Sequence, residues 1–251
     1  MPKPEFKDHF SGHASQYQKY RPSYPKEMFE YLSTLCVGLK LALDVGTGNG
    51  QAARQLTHFF DHVVATDPSE NQINSAEPHA KIDFKVARAE TCPVPDSSVD
   101  LLTVAQALHW FDFEKFFNEA QRVLKDEGVL AAWSYTHASV NAEIDNVYFK
   151  YYEDIVGEFW PDERRHVENK YSQIDFPISH IQPPVFEISL NYTLENYIAY
   201  LGTWSASKNY RQEKKAEPLN SIKEDLEQVW GKASVRKITW PIYLRVGTFV
   251  K

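Results

Sequence analysis

An α/β fold with a doubly wound, mostly parallel sheet follows from three features of the sequence. Short apolar, β-branched runs alternate with helical patterns from residue 41 to residue 135. Glycines crowd the point where the first run meets the first helix, in "LALDVGTGNGQAARQL", and an acid closes the next run, "HVVATD". Such alternation implies parallel strands joined by right-handed crossovers.

Each element carries its own signal. "LALDV" (41–45) reads as a buried strand and "GQAARQLTHFF" as the helix after it. "HVVATD" (62–67) is a second strand; "SENQINSAE" (69–77) is a helix opened by a serine cap, with Gln72 three residues on. "IDFKVAR" (82–88) alternates like a third strand, and "VDLLTVAQA" (99–107) suits a fourth covered on both faces. In "DFEKFFNEAQRVLKDEG" (112–128), Phe113, Phe116, Phe117, Ala120, Val123 and Leu124 keep helical spacing, with Asp112 as cap and Gly128 as stop. "VLAAWSY" (129–135) is a fifth strand.

Beyond Tyr135 the rhythm changes. "NAEIDNVYFKYYEDIVGEFW" and "TLENYIAYLGTWSASKNY" have helical patches, and "FPISHIQPPVFEISL" between them predicts a loop and then a strand. The final "VRKITWPIYLRVGTFVK" predicts a hairpin or two edge strands broken at Pro241 and Ile242. The expected organisation is one domain: residues 1–38 a lid and helix, 39–139 a nucleotide-binding core, 140–232 a helical cover with a sheet strand, and 233–251 the C-terminal strands.

Composition narrows the function. With 251 residues and 43% hydrophobic side chains, the chain can bury a substantial core. A net charge of -7 disfavours broad binding to phosphate backbones, so no nucleic-acid partner is expected. Cys36 and Cys92 supply neither a disulfide framework nor a CxxC zinc pair. The opening "MPKPEFKDHF" lacks a secretory apolar core and "GVLAAW" is too short to span a bilayer, so a cytoplasmic location is the expectation. His9/His13 and His58/His62 form HxxxH pairs without the HExxH glutamate or a clustered third ligand, and no metal is expected.

The glycine turn suits two nucleotide ligands, a nicotinamide dinucleotide and S-adenosylmethionine. The dinucleotide pattern G-x-G-x-x-G, counted from Gly46, requires a glycine where this chain has Gln51. The motif present is D-x-G-x-G-x-G, with Asp44 inside the strand. Asp67 closes the second strand, placed to take the hydroxyls of a ribose in either ligand. "VARAE" and "AQALHWFD" end the third and fourth strands. All these segments point to the crevice at the carboxyl ends of the strands.

Together, "LDVGTGNG", "TDPS", "AE…P…SVDLLTVAQALHWFD" and "RVLKDEGVLAAW" resemble the class I S-adenosylmethionine-dependent methyltransferases. Within that group the chain is similar to small-molecule methyltransferases related to trans-aconitate methyltransferase, a likeness also carried by "FSGHASQYQKYRPSYP", "YLGTWSASKNY" and "WPIYLRVG". The resemblance implies a seven-stranded Rossmann-like sheet, S-adenosyl-L-methionine as cofactor and a small-molecule acceptor. It sets the methionine portion against Gly46, Thr47 and Gly48, with Asp44 and Gly50 completing the turn, and the ribose on Asp67. Pro68 and Ser69 shape the pocket beside the adenine, which Ala89 and Glu90 border. Many relatives carry an Asp where this chain has Arg88, so Glu90 or a backbone group is the candidate replacement. Gln106, Ala107 and His109 would floor the reactive sulfur. Arg21, in "YRPSYP", would clamp the methionine carboxylate.

Tyr17, Tyr20 and Tyr24 suit either the sulfonium and acceptor or the anchoring of a lid. Trp110 and Trp204 are acceptor-side candidates, with Ser205 beside the second. His109 reads as a general base or, more simply, as a structural contact, since an ionised acceptor requires no base. The implied reaction is in-line displacement on the methyl carbon. A small carboxylic acid is the suggested acceptor, and Arg164, Arg165, Lys208 and Arg211 are candidate partners for a second carboxylate. The alternative function is a methyltransferase fold that binds S-adenosylmethionine or a partner without turnover.

Overall fold

The computed structural model describes residues 23–250. The sheet contains β1 (Leu41–Val45), β2 (His62–Asp67), β3 (Ile82–Val86), β4 (Val99–Ala105), β5 (Leu124–Tyr135), β6 (Ile178–His180), β7 (Phe186–Tyr192) and β8 (Arg236–Phe249). Its order is β3-β2-β1-β4-β5-β8-β6, with β7 also paired to β8. The first five strands are parallel, whereas β8 runs antiparallel to β5, β6 and β7. This is a Rossmann-like, doubly wound sheet, with eight strands among the described residues against the seven expected.

Burial explains the strand interior. Ala42 and Leu101 face one core layer, while Leu43, Val45, Leu102 and Val104 face the other. A parallel strand covered on both sides must be apolar almost throughout. Helices α1 (Lys26–Thr34) and α2 (Gln51–Leu56) join the first layer through Met28, Phe29, Leu32, Ala52 and Leu56. α3 (Glu70–Ser75) follows β2, capped by Ser69, whose hydroxyl accepts the Gln72 N–H. α4 (Phe113–Val123) buries Phe116, Phe117 and Ala120 in the second layer, capped by Asp112.

Two expected breaks are absent. Gly128 does not stop a helix: α4 ends at Val123, and Leu124 already pairs with Val99, so Gly128 lies inside β5. A Cβ at Gly128 would approach the Lys125 backbone nitrogen to 2.9 Å, so its missing side chain accommodates the irregular register between β4 and β5. Pro241 likewise does not divide the C-terminal segment. It continues one strand from Arg236 to Phe249. Its nitrogen points to the same side as the Thr239 N–H, which bonds Ser139. On that side β5 has ended, its Tyr135 pairing with Ile242, so Pro241 removes no ladder bond. With that length, β8 holds β7 along residues 236–242 and β6 along 247–249.

The cover begins with α5 (Ala142–Phe149), which runs into a π-helical turn, Lys150–Ile155, and a 3₁₀ turn, Gly157–Phe159. α6 (Arg164–Glu168) precedes β6, and α7 (Leu194–Gly202), α8 (Ser205–Lys214) and α9 (Lys223–Trp230) precede β8. The helical pattern of "TLENYIAYLGTWSASKNY" forms two helices, separated at Thr203 and Trp204. Ser207 secures the junction by donating to Leu201 O at 2.8 Å and sharing a 2.7 Å contact with the Tyr151 hydroxyl. No helix among the described residues is long and apolar enough to cross a membrane.

Candidate active site

The turn between β1 and α2 is built by backbone rather than by side chains. Gly46 adopts φ +70°, and a Cβ there would lie 2.6 Å from Ala107 Cβ. Gly50 adopts φ +89°, and its Cβ would meet the Phe84 ring at 2.7 Å. Both positions therefore favour glycine for left-handed backbone and close packing. Gly48 differs. A Cβ added there finds Gln72 Oε1 as its one neighbour within 4 Å, at 3.8 Å, so this part of the turn opens outward.

Carboxylates hold the turn from both sides. Asp67, ending β2, accepts the Gly48 N–H on Oδ2 and the Ser69 N–H on Oδ1, both at 2.9 Å. Asp44 is fully buried: Thr47 donates to Oδ2 at 2.5 Å and Thr103 donates to Oδ1 at 2.7 Å. Burial pushes its pKa up to about 6, against the lowering effect of those hydroxyls. Asp44 is thus an internal brace between β1, the turn and β4. Glu90 is also anchored: Oε1 accepts the Asp112 N–H at 3.2 Å, and Oε2 lies 3.5 Å from exposed Arg88. Ala89 is buried beside it.

At the end of β4, Gln106 has φ +55°, unusual for a non-glycine residue. Its amide clasps the Tyr135 backbone, Nε2 donating to O and Oε1 accepting from N, both at 3.0 Å. This pair of bonds fixes the floor between β4 and β5. Ala107 follows against Gly46. His109 is buried, with Nδ1 3.1 Å from the Tyr171 hydroxyl. Burial, reinforced by the positive field of Arg164, drives its pKa down to about 3, so the imidazole is neutral and weakly basic at physiological pH.

A cavity opens beside Gln106, His109 and Trp110 beneath the cover. Tyr148 of α5, Tyr200 of α7 and Trp204 supply aromatic surface, and Trp160, Pro161 and Arg164 form another wall. Trp204 is buried at the hub of this aromatic group, 5.3 Å from Tyr148, 5.4 Å from Trp160 and 5.9 Å from Tyr200, centroid to centroid. Arg164 stacks 4.7 Å above the Trp160 ring, while its Nε donates to the Tyr152 hydroxyl at 3.2 Å. Trp160, Pro161 and Arg164 also wall a neighbouring open groove that contains Arg165.

Several expected groups are gathered here: Gly46, Thr47, Gly48 and Gly50 at the turn, Asp67, Pro68 and Ser69 after β2, and Gln106 through Trp110 after β4. Trp204 and Ser205 line the cavity, as does Arg164. Arg211 is instead tied to Glu217 at 2.7 Å and to Gly202 O at 3.0 Å, and neither Lys208 nor Arg165 lines the cavity. Tyr24 packs edge-on to Trp133 at 5.3 Å in the core. Arg21, Tyr17, Tyr20, His9 and His13 lie outside the described residues. Tyr135, Thr136, Tyr148, Trp160, Pro161 and Tyr200 also line the cavity, and the sequence did not single them out as site residues.

The residues present suit S-adenosylmethionine. An outward-opening Gly48 sits against the Asp67 carboxylate, at the carboxyl ends of β1 and β2, one strand from the cavity floor.

Comparison with known proteins agrees. The family model for a methyltransferase domain matches residues 43–132. A Dictyostelium discoideum protein named "Putative methyltransferase" is 30% identical over 248 residues, covering 96% of this chain and 94% of its own length. A Saccharomyces cerevisiae protein named "Probable S-adenosylmethionine-dependent methyltransferase" is 30% identical over 187 residues, or 68% of this chain and 63% of its own. The structure of a "Putative Type II Methyltransferase" from Anaeromyxobacter dehalogenans superposes with a TM-score of 0.86 at 38% identity, covering 91% of this chain and 98% of the other. The chain belongs to the class I S-adenosylmethionine-dependent methyltransferases, and S-adenosyl-L-methionine is its methyl donor.

Proposed function

We propose that the enzyme methylates a small carboxylic acid, with the donor on the β1–α2 turn and the acceptor in the cavity under the cover. Asp67 would take the ribose hydroxyls, Gly46, Thr47 and Gly48 the methionine portion, and Ala89 and Glu90 the adenine edge. Arg21 would neutralise the donor's carboxylate. Asp44, with both oxygens engaged by threonine hydroxyls, acts as a positioning residue that sets the turn. Bound S-adenosylmethionine would supply a methyl group already activated by sulfonium charge, for displacement by an acceptor oxygen held in the cavity with the carbon–sulfur electron pair left on sulfur.

The protein's task is alignment and dryness. Holding the reacting atoms in line contributes about 7–11 kcal/mol in favourable cases. Gln106, clamped at both ends of its amide to Tyr135, keeps the floor rigid. Trp110, Tyr148, Trp160 and Trp204 exclude water around the acceptor. His109 is a wall residue, because a group with its pKa near 3 is a poor proton acceptor at neutral pH. The observation that carries the reading is the sharing of Gln106 and His109 between the strand end beside the turn and the lining of the cavity.

Calorimetric titration with S-adenosylmethionine tests the donor site: Asp67→Ala should weaken binding by tenfold or more, and unchanged affinity would refute it. Incubation with a panel of carboxylic acids should release S-adenosylhomocysteine. Release with amines alone would refute the acceptor assignment, and binding without release from any acceptor would establish a non-catalytic binding protein.

A further inference from the structure

Resting on the assignment of the cavity to the acceptor, we infer that the acceptor is a flat, unsaturated or aromatic acid bearing a single carboxylate, recognised by Arg164. Charge supports this first. Among the described residues lining the cavity, Arg164 is the one permanently ionised group, and no Asp or Glu joins it. An ammonium acceptor would enter a site whose fixed charge has its own sign. Aromatic surface alone would welcome a cation, but the guanidinium already occupies the Trp160 face, 4.7 Å from its centroid.

The number of cations then limits the number of carboxylates. Arg165 lies in the neighbouring groove, and Arg211 is committed to Glu217 and Gly202. Among the described residues, a tricarboxylate would therefore find no cation for its second and third anions, which would press against Trp110, Tyr148 and Trp204, and burying unpaired charge is costly. A single carboxylate satisfies Arg164, whose fork matches two carboxylate oxygens. Glu168, 4.0 Å from Nε, and the Tyr152 hydroxyl hold the guanidinium from the other end.

Aromatic walls define the rest of the molecule. Trp204 meets Trp160 at 42° and Tyr148 at 83°, so the rings brace one another instead of collapsing inward. Such surfaces select a planar, apolar body by stacking and edge contacts. Proton bookkeeping favours an acid over a phenol as well. A carboxylate arrives ionised, whereas a phenol must lose a proton, and His109 is both weakly basic and occupied at Nδ1 by Tyr171.

Trp110, Trp160 and Trp204 make binding observable by tryptophan fluorescence in the full chain saturated with S-adenosylhomocysteine. trans-Cinnamate should bind at least tenfold more tightly than cinnamyl alcohol, phenethylamine or trans-aconitate. Arg164→Gln should erase the preference for cinnamate over its alcohol, and Arg164→Lys should retain part of it, with melting temperatures checked for each. The inference is overturned if any comparator equals cinnamate in the wild-type protein, if no probe binds, or if a folded Arg164→Gln variant keeps the preference. Turnover separates this from the broader reading. Tight cinnamate binding without methyl cinnamate would refute methyl transfer to acids, while methylation of trans-aconitate with weak cinnamate binding would uphold transfer to acids and reject the monoacid.

Discussion

The glycine turn and the aromatic cavity sit side by side yet are built from opposite materials. The turn uses backbone, with Gly46 and Gly50 in left-handed conformations, and two carboxylates bound to it. The cavity uses large rings that pack on one another, centred on Trp204. A backbone site holds its shape through dihedral angles and short hydrogen bonds, so its core is one run, residues 44–50, braced from Asp67 and Thr103. A ring-lined site holds its shape through packing, and its contributors come from the segment after β4, the end of β5, α5, the turn before α6, α6 itself, α7 and the start of α8. The first is suited to one fixed ligand; the second can change its ligand by changing rings.

Substitutions can break this contrast. The largest effect is expected for Trp204→Ala, which should cost about 3–5 kcal/mol in urea unfolding, as loss of a buried aromatic does. That cost identifies Trp204 as core and cavity wall together; a loss below about 1 kcal/mol would show the cover is loosely packed. Next is Gly46→Ala, expected to cost about 2–4 kcal/mol from left-handed strain and the overlap with Ala107. Gly48→Ala sharpens the point. It should cost only about 1 kcal/mol in stability, since its Cβ meets open space, yet weaken S-adenosylmethionine binding measurably by calorimetry.

Titration separates the two regions by sign. Asp44 has its folded pKa raised to about 6, so its penalty develops as pH rises from about 4 to 6. Relative to wild type, Asp44→Asn should therefore gain on the order of 2 kcal/mol between those values. His109 has its folded pKa lowered to about 3, so its stabilising contribution is complete above pH 6.5 and fades as pH falls toward 3. His109→Gln should flatten the acid side of the stability profile. A wild-type profile unaltered by either substitution would show that neither group is held neutral by the fold.

Much of the turn was legible because consecutive residues encode it. Asp44, the glycines, Asp67 and the Ser69 cap each announce a local geometry that tertiary packing preserves. The breaks at Gly128 and Pro241 were misread for the same reason: both residues carry strong local signals, and strand pairing overrode them. Gly128 sits where β5 has already joined β4, and Pro241 faces a side with no partner strand. The cavity was least legible. Tyr148, Trp160 and Tyr200 show helical spacing whether they fill a core or border a cavity, since both demand apolar faces. Arg164 stood among four equivalent candidates until packing consumed Arg211 and displaced Arg165.

The long β8 strand has a bearing on how the polypeptide matures. β5 offers one edge to β4 early, but its other edge awaits residues 242–248, and β6 and β7 have no sheet to join before then. During translation the ribbon "VLAAWSY" is therefore an open ladder while the whole cover is being made. Unsheltered edges of that kind invite pairing with the wrong chain. Pairing with β8 closes that edge of β5.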